Sequence, residues 1–234
     1  MRSIRLNLKE RTKLSPMAGF VLAGGKSSRM GRDKARLQLG GKALLEHAID
    51  RLGEVCEVVC IAGNRPDLAA YAPVIQDRYA DCGPLGGIHA ALLQSRHDWN
   101  IFLPVDVPLL PAAFLHAMAE AATQSHAVAV IAEHDGMLEP LCALYHRDLA
   151  PYLALSLVRK KFQVITAVNQ AVELIARERE MNARMLVVRI SAEKFAKKMG
   201  EKSSLVKKWF LNANTPREMA TLERKWTSIQ KDNP

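Results

Sequence analysis

Three observations predict an α/β fold of three layers around a mostly parallel sheet. Short apolar runs alternate with stretches of helical period along most of the chain, as successive βαβ units require. The first apolar run feeds directly into a glycine-rich loop studded with cations. The chain has 234 residues, 49% of them hydrophobic, which is long enough for one large α/β domain.

Strands are expected at Ala18–Ala23, Val55–Ala62, Pro73–Ile75, Trp99–Val105, Ala127–Glu133, Leu141–Tyr145 and Met185–Ile190, each a short run of apolar residues. The helix expected at Ala43–Leu52 places Leu44, Leu45, Ala48, Ile49 and Leu52 on one face, and Leu85–Leu93 and Ala112–Ala122 follow the same pattern. Residues 147–181 read as two more helices, the second from Val164 to Arg179 with Val168, Val172 and Ile175 along one side. For 178–208 the reading is a strand and a basic, charged helix. Thr215, followed by Pro216 and then by Glu218 three positions on, is a candidate cap for a last helix.

Composition excludes several classes. The longest apolar runs, Met17–Ala23 and Ala127–Ala132, fall far short of the roughly 20 residues that span a bilayer. The basic N-terminus lacks the apolar core of a secretory signal, so no membrane association and a cytoplasmic location are expected. Cys56, Cys60, Cys82 and Cys142 form no CxxC pair, and the seven histidines show no ligand spacing, so reduced thiols and scattered histidines are the plain reading. The net charge of +9 suggests nucleic acid until it is divided along the chain. Residues 1–16 carry five Lys/Arg against one Glu, 17–150 carry 11 against 15 acids, and 151–234 carry 17 against eight. The excess lies outside residues 17–150, and its Lys/Arg clusters lack interleaved aromatics, which argues against nucleic acid and leaves solvated faces or an anionic partner.

The stretch Phe20-Val-Leu-Ala-Gly-Gly-Lys-Ser-Ser-Arg-Met-Gly-Arg-Asp-Lys34 carries the chemistry. Glycines at a strand end let backbone N–H groups approach phosphate oxygens, and Lys26, Arg29 and Lys34 supply the charge to neutralise a triphosphate. Walker A is excluded because Phe20 stands where its first glycine belongs, and GxGxxG is absent.

What remains, LAGG-x-S-x-RMG-x-DK, resembles the molybdenum cofactor guanylyltransferases, within the nucleotidyltransferases of glycosyltransferase-A-type fold. Four later segments agree in order: Val74–Asp77 with Gly83-Pro-Leu-Gly-Gly-Ile88, Leu103-Pro-Val-Asp106-Val-Pro-Leu-Leu110, Glu139-Pro-Leu-Cys-Ala-Leu-Tyr145, and Phe210-Leu-Asn-Ala-Asn-Thr-Pro216. The resemblance implies a Rossmann-like sheet and transfer of GMP from GTP to the phosphate of molybdopterin, with Mg2+ as cofactor. It also implies Arg29, Lys34 and Asp106 as catalytic residues, with Asp106, at the carboxyl end of a strand, as metal ligand. Leu22, Ala23, Gly24, Gly25, Lys34, Asn64, Asp77 and Asp106 are the expected GTP contacts, Asp77 facing ribose hydroxyls or the guanine edge. Pro140, Asn212 and Asn214 are the expected acceptor contacts; the two asparagines, two apart, point the same way if extended. Transient contacts with molybdopterin-handling proteins or acceptor molybdoenzymes are expected from the same resemblance.

The domain is expected over 17–226, with a nucleotide half (17–110) and an acceptor half (111–226), between a basic tail at 1–16 expected to be disordered and a short tail at 227–234. Two departures stand out: Gly86 where the family often has Ala, and Glu139 where it often has His. Competing readings are a relative that uses CTP or a sugar-phosphate acceptor, and a non-catalytic nucleotide-binding regulator. Gly24-Gly25 and Asp33-Lys34 favour guanine over cytosine, and the presence of both Lys34 and Asp106 favours an enzyme over a regulator.

Overall fold

The computed structural model describes residues 15–24, 33–213 and 215–232. The expected N-terminal tail up to residue 14, Gly25 and Arg29 of the glycine-rich loop, and Asn214 lie outside the described residues.

In chain order the elements are β1 (Met17–Leu22), β2 (Gln38–Leu39), β3 (Lys42–Ala43), α1 (Leu44–Gly53), β4 (Val58–Ala62), β5 (Val74–Ile75), α2 (Pro84–Gln94), β6 (Trp99–Pro104) and α3 (Ala112–Thr123). There follow β7 (Ala129–His134), β8 (Met137–His146), α4 (Ala150–Val158), α5 (Val164–Glu178), β9 (Val187–Ser191), α6 (Ala192–Lys198), α7 (Ser203–Trp209) and α8 (Pro216–Asp232). Seven strands form one sheet in the order β5-β4-β1-β6-β8-β7-β9. Every neighbouring pair is parallel except those made by β8, which runs against both β6 and β7.

The helices cover both faces. One core layer joins Val21, Ile101, Leu103, Val130 and Leu144 of the sheet to Leu45, Ala48 and Leu52 of α1, Phe114, Leu115 and Met118 of α3, Ala196 of α6 and Leu222 of α8. The other joins Ala18, Phe20, Phe102, Ile131 and Tyr145 to Leu85, Ile88 and Leu92 of α2, Leu153 and Leu157 of α4, and Val168, Val172 and Ile175 of α5. Strands covered on both sides have no polar face to show, so β1 and the middle of β6 read as unbroken apolar runs. The expected three-layer, mostly parallel sheet is the one observed.

β8 departs from the parallel pattern for a local reason. It follows β7 after a two-residue turn, Asp135-Gly136, whose residues sit at φ 49° and 75°. So short a connection allows only antiparallel pairing. β8 also begins at Met137, earlier than the apolar run from Leu141 suggests. Ile131 pairs with Ala143 but the next residue, Ala132, pairs with Glu139, so Pro140, Leu141 and Cys142 bulge out of the ladder. A bulge is where a proline, which has no N–H to donate, fits inside a strand. The fully buried Tyr145 closes it by donating its hydroxyl to the Pro140 carbonyl at 2.7 Å.

A small β2–β3 hairpin lies outside the expected elements, its strands only two residues long. Gly40, at φ 60°, belongs to its turn, and a Cβ there would stand 2.1 Å from the Trp226 indole nitrogen. Only glycine lets α8 lie against this hairpin. Between 192 and 209 the chain forms two short helices, α6 and α7, rather than the single charged helix expected. Their buried sides meet Phe114, whose ring lies 5.4 Å from Phe195, 6.0 Å from Trp209 and 6.4 Å from Phe210. α8 then continues through residues 227–232.

Candidate active site at the carboxyl edge of the sheet

In an open α/β sheet the carboxyl ends of the parallel strands form the ligand-binding edge, because the loops leave the core there with backbone groups unpaired. The ends of β1, β4, β5, β6, β7 and β9 reach that edge here, together with the start of the reversed β8.

The loops after β1 and β4 run against each other. Ala23 donates its amide to the Ala62 carbonyl at 3.3 Å, and Gly63 donates to Ile75 at 3.0 Å. Gly63 sits at φ 131°, and a Cβ on it would meet the Gly24 Cα at 3.1 Å and nitrogen at 3.2 Å. Leu22 and Ala23 are buried, and Gly24 is the first exposed residue of the loop. This backbone contact admits no side chain on Gly63, whereas a Cβ on Gly24 would meet only the Gly63 Cα, at 4.0 Å.

β6 ends at Pro104, and the turn beyond it buries Val105 and Val107 while leaving Asp106 half-exposed between them. Val105 donates its amide to the Leu22 carbonyl at 3.3 Å, which fastens this turn to the end of β1. Lys34, the first residue of a single 3-10 turn at Lys34–Arg36, brings its Nζ to 3.4 Å from Asp106 Oδ2. The two side chains are 72 positions apart in sequence and both keep solvent access, at 25% and 20%.

Asn64 and Asp77 also meet. Asn64 Oδ1 accepts the Asp77 backbone amide at 3.0 Å. The Asp77 carboxylate lies under the first turn of α2, where a Cβ on Gly86 or Gly87 would come within 3.3 and 3.4 Å of its oxygens. The Ala frequent in the family at Gly86 would therefore press on Asp77. Burial raises the Asp77 pKa above the ordinary carboxylate value, and its buried Oδ1 has no hydrogen-bond partner among the described residues. Such an atom is poised to accept a ligand's N–H or O–H.

On the other side, Pro140 sits on the β8 bulge beside Glu139. Burial raises the Glu139 pKa; the nearby His134 opposes that shift and the charge on Asp106 reinforces it, so Glu139 shares the field of Asp106. His134, the last residue of β7, stacks flat on Phe210 with ring centroids 4.7 Å apart and an 8° interplanar angle. Its Nδ1–H donates to Glu193 Oε1 at 2.9 Å, and Glu193 also accepts the Asp135 amide and the Ser191 hydroxyl, each at 3.0 Å. Against the raising effect of burial, these hydrogen bonds hold the Glu193 pKa down to about 2. The segment after Phe210 is thereby docked on the hairpin, with Asn212 exposed just beyond.

The structure thus gathers Lys34 with Asp106, Asn64 with Asp77, and Leu22, Ala23 and Gly24 at one edge. Pro140 is held on the same reversed strand as Glu139. Asp106 offers hard oxygen donors of the kind a divalent ion takes, at present facing the Lys34 ammonium. Among the described residues, His134, Asp135 and Glu193 form another group whose potential metal-ligating atoms lie within 4.8 Å of one another. The hydrogen bonds just described engage both Glu193 oxygens and His134 Nδ1, so the trio reads as a brace. Sequence reasoning missed that brace, whose partners stand 59 positions apart. It also missed Arg65, which contacts Ala23, Asp33 and Asp67 and whose only sequence signal is a place beside Asn64 after a strand.

Known proteins share this architecture and sequence. The model of the MobA-like NTP transferase domain matches residues 19–172. The molybdenum cofactor guanylyltransferase of Vibrio cholerae serotype O1 is 37% identical over 156 residues, covering 64% of this chain and 76% of the relative. A crystal structure of molybdopterin-guanine dinucleotide biosynthesis protein A from Archaeoglobus fulgidus superposes with a TM-score of 0.69 at 23% identity, over 91% of this chain and 100% of that one. The 2-C-methyl-D-erythritol 4-phosphate cytidylyltransferase of Thermus thermophilus shares the fold at a TM-score of 0.61 and 15% identity, over 91% and 99% of the two chains. With the family match covering most of the sequence and Lys34 and Asp106 meeting at the sheet edge, this chain belongs to the MobA-like NTP transferase family and is a nucleotidyltransferase.

Proposed function

We propose that this chain transfers GMP from GTP to the phosphate of molybdopterin, forming the guanine dinucleotide form of the molybdenum cofactor and releasing pyrophosphate. The observation that carries the reading is the approach of Lys34 to Asp106 beside the end of β1, which sets a cation and a carboxylate where a triphosphate would lie. A phosphate oxygen of the acceptor attacks the α-phosphorus of GTP in line. The bond to the β-phosphate breaks, and pyrophosphate leaves with its electron pair. The acceptor phosphate is already anionic at neutral pH, so no protein nucleophile is needed, and catalysis reduces to positioning and charge neutralisation.

Each residue has a part in this scheme. Asp106 would hold Mg2+, which supplies charge neutralisation along the triphosphate. Lys34, at present directed at Asp106, swings its ammonium to the phosphates. Arg29 and Gly25 belong to the same proposal on the strength of the motif. Leu22, Ala23 and Gly24 offer backbone groups, and Asp77, with its orphan buried oxygen and the Asn64 brace, receives the ribose or the base. Pro140 and Asn212, with Asn214 on the strength of the motif, are assigned to the acceptor. We assign the nucleotide half to 17–110 and the acceptor half to 111–226, and a cytoplasmic setting with transient contact to molybdopterin-handling proteins or acceptor molybdoenzymes. Among the described residues no helix is long and apolar enough to cross a membrane.

The CTP-using alternative separates cheaply by thermal-shift titration with Mg2+, because a ligand bound by the native state alone stabilises by about 2.7 kcal/mol at a hundredfold excess over its Kd. GTP should raise the melting temperature and CTP should not. A larger shift with CTP would reverse the base assignment.

A further inference from the structure

One guanidinium ties together both ends of the glycine-rich loop. Arg65, just after β4, grips Asp33 with its two terminal nitrogens at 2.5 and 3.1 Å and Asp67 through Nη2 and Nε at 2.8 and 2.9 Å. It also reaches the Ala23 carbonyl at 3.5 Å. Ala23 is the entry to the loop and Asp33 its exit. Asp33 in turn caps the turn that begins at Lys34, its side chain accepting the Ala35 amide at 3.1 Å. Arg36, more exposed, completes the group with a contact to Asp67 at 3.0 Å. The hydrogen bond to Asp67, followed by the one to Asp33, holds the Arg65 guanidinium firmly protonated.

We propose that Arg65 is a positioning residue for nucleotidyl transfer: it sets the span of the phosphate loop and, through Asp33, the place of Lys34, without touching the reacting atoms. The inference rests on the GTP reading above. A planar fork with five donors can serve two carboxylates and a carbonyl at once, which the point charge of a lysine cannot. With 18% of its side chain exposed, Arg65 is more buried than Lys34, Arg36, Lys42, Arg51 and Arg179 in their ion pairs, at 25–52%. Partly exposed ion pairs contribute little to stability, about 0–1 kcal/mol. A shift of about 1 Å in a positioned catalytic group costs on the order of a hundredfold in rate. The effect of Arg65 should therefore appear in turnover far more than in melting temperature.

The test is steady-state GMP transfer to molybdopterin with Mg-GTP, measured for the wild type, Arg65→Met, Arg65→Lys, Asp33→Asn and the double variant Arg65→Met/Asp33→Asn, with the melting temperature of each. Arg65→Met should lose about 10- to 100-fold in kcat while its KM for GTP moves less than about threefold, and Arg65→Lys should recover part of the loss. Because both residues act through one contact, the double variant should be no worse than the poorer single one. A kcat for Arg65→Met within about threefold of wild type, or losses that multiply in the double variant, would overturn the proposal. Should Arg65→Met fail to fold, Arg65→Lys and Asp33→Asn decide: lowered kcat at preserved KM upholds the role, unchanged kcat refutes it. The wild type reports separately on the GTP reading, since an inactive wild type would remove that reading whatever the variants do.

Discussion

The two sides of the carboxyl edge are held in place by different forces. Around the ends of β1 and β4 the loops are fixed by glycine backbones in contact and by ion pairs, Arg65 on Asp33 and Lys34 on Asp106. Around the β7–β8 hairpin, positions are set by packing: a buried tyrosine closing a bulge, and His134 and Phe114 each packed against Phe210, two residues before Asn212. The β1–β4 side is thus held by polar contacts and the β7–β8 side by packing.

That contrast predicts effects on activity for one side and on stability for the other. The largest expected effect is for Asp106→Ala, which should reduce kcat by about a thousandfold while the melting temperature stays within a few degrees of wild type, by analogy with loss of one main charge-stabilising group. Lys34→Ala should behave alike, and GMP transfer retained by both would refute their roles. On the packed side, Phe114→Ala should cost about 3–5 kcal/mol of folding stability in denaturant melts, as expected for truncating a buried phenylalanine. Tyr145→Phe, which leaves the Pro140 carbonyl without its donor, should cost about 1–3 kcal/mol. If instead Phe114→Ala left stability intact and abolished turnover, the contrast between the two sides would fail.

The smallest effect concerns pH. Glu193 is held down to about 2 from an ordinary 4.5. A depressed carboxyl stabilises the fold above its unfolded value and loses that contribution as pH falls through the folded one. Stability should therefore decline between about pH 4.5 and 2, and Glu193→Gln should flatten that part of the melting profile. An identical acid limb in the variant would show that the brace carries no such linkage.

How much of this was legible in the sequence follows from how local each signal is. β1 and β6 stand out because strands buried on both faces must be continuously apolar. The nucleotide loop stands out because glycines, cations and the strand that precedes them fall within 15 consecutive residues. The β2–β3 hairpin escaped because strands of two residues leave no periodicity to read. β8 was foreshortened because the bulge at Pro140–Cys142 separates Met137–Glu139 from the rest of the strand and breaks the alternation that marks it. Arg65 and His134 escaped for a deeper reason: their partners are 32 and 59 positions away, and only the assembled sheet edge brings them together.

The most direct measurement is to incubate the purified chain with Mg-GTP and molybdopterin and follow both pyrophosphate and nucleotide products. Equimolar pyrophosphate and a guanine dinucleotide, with little turnover when CTP replaces GTP, is the expected result. Absence of pyrophosphate with GTP, or equal turnover of CTP, would contradict it.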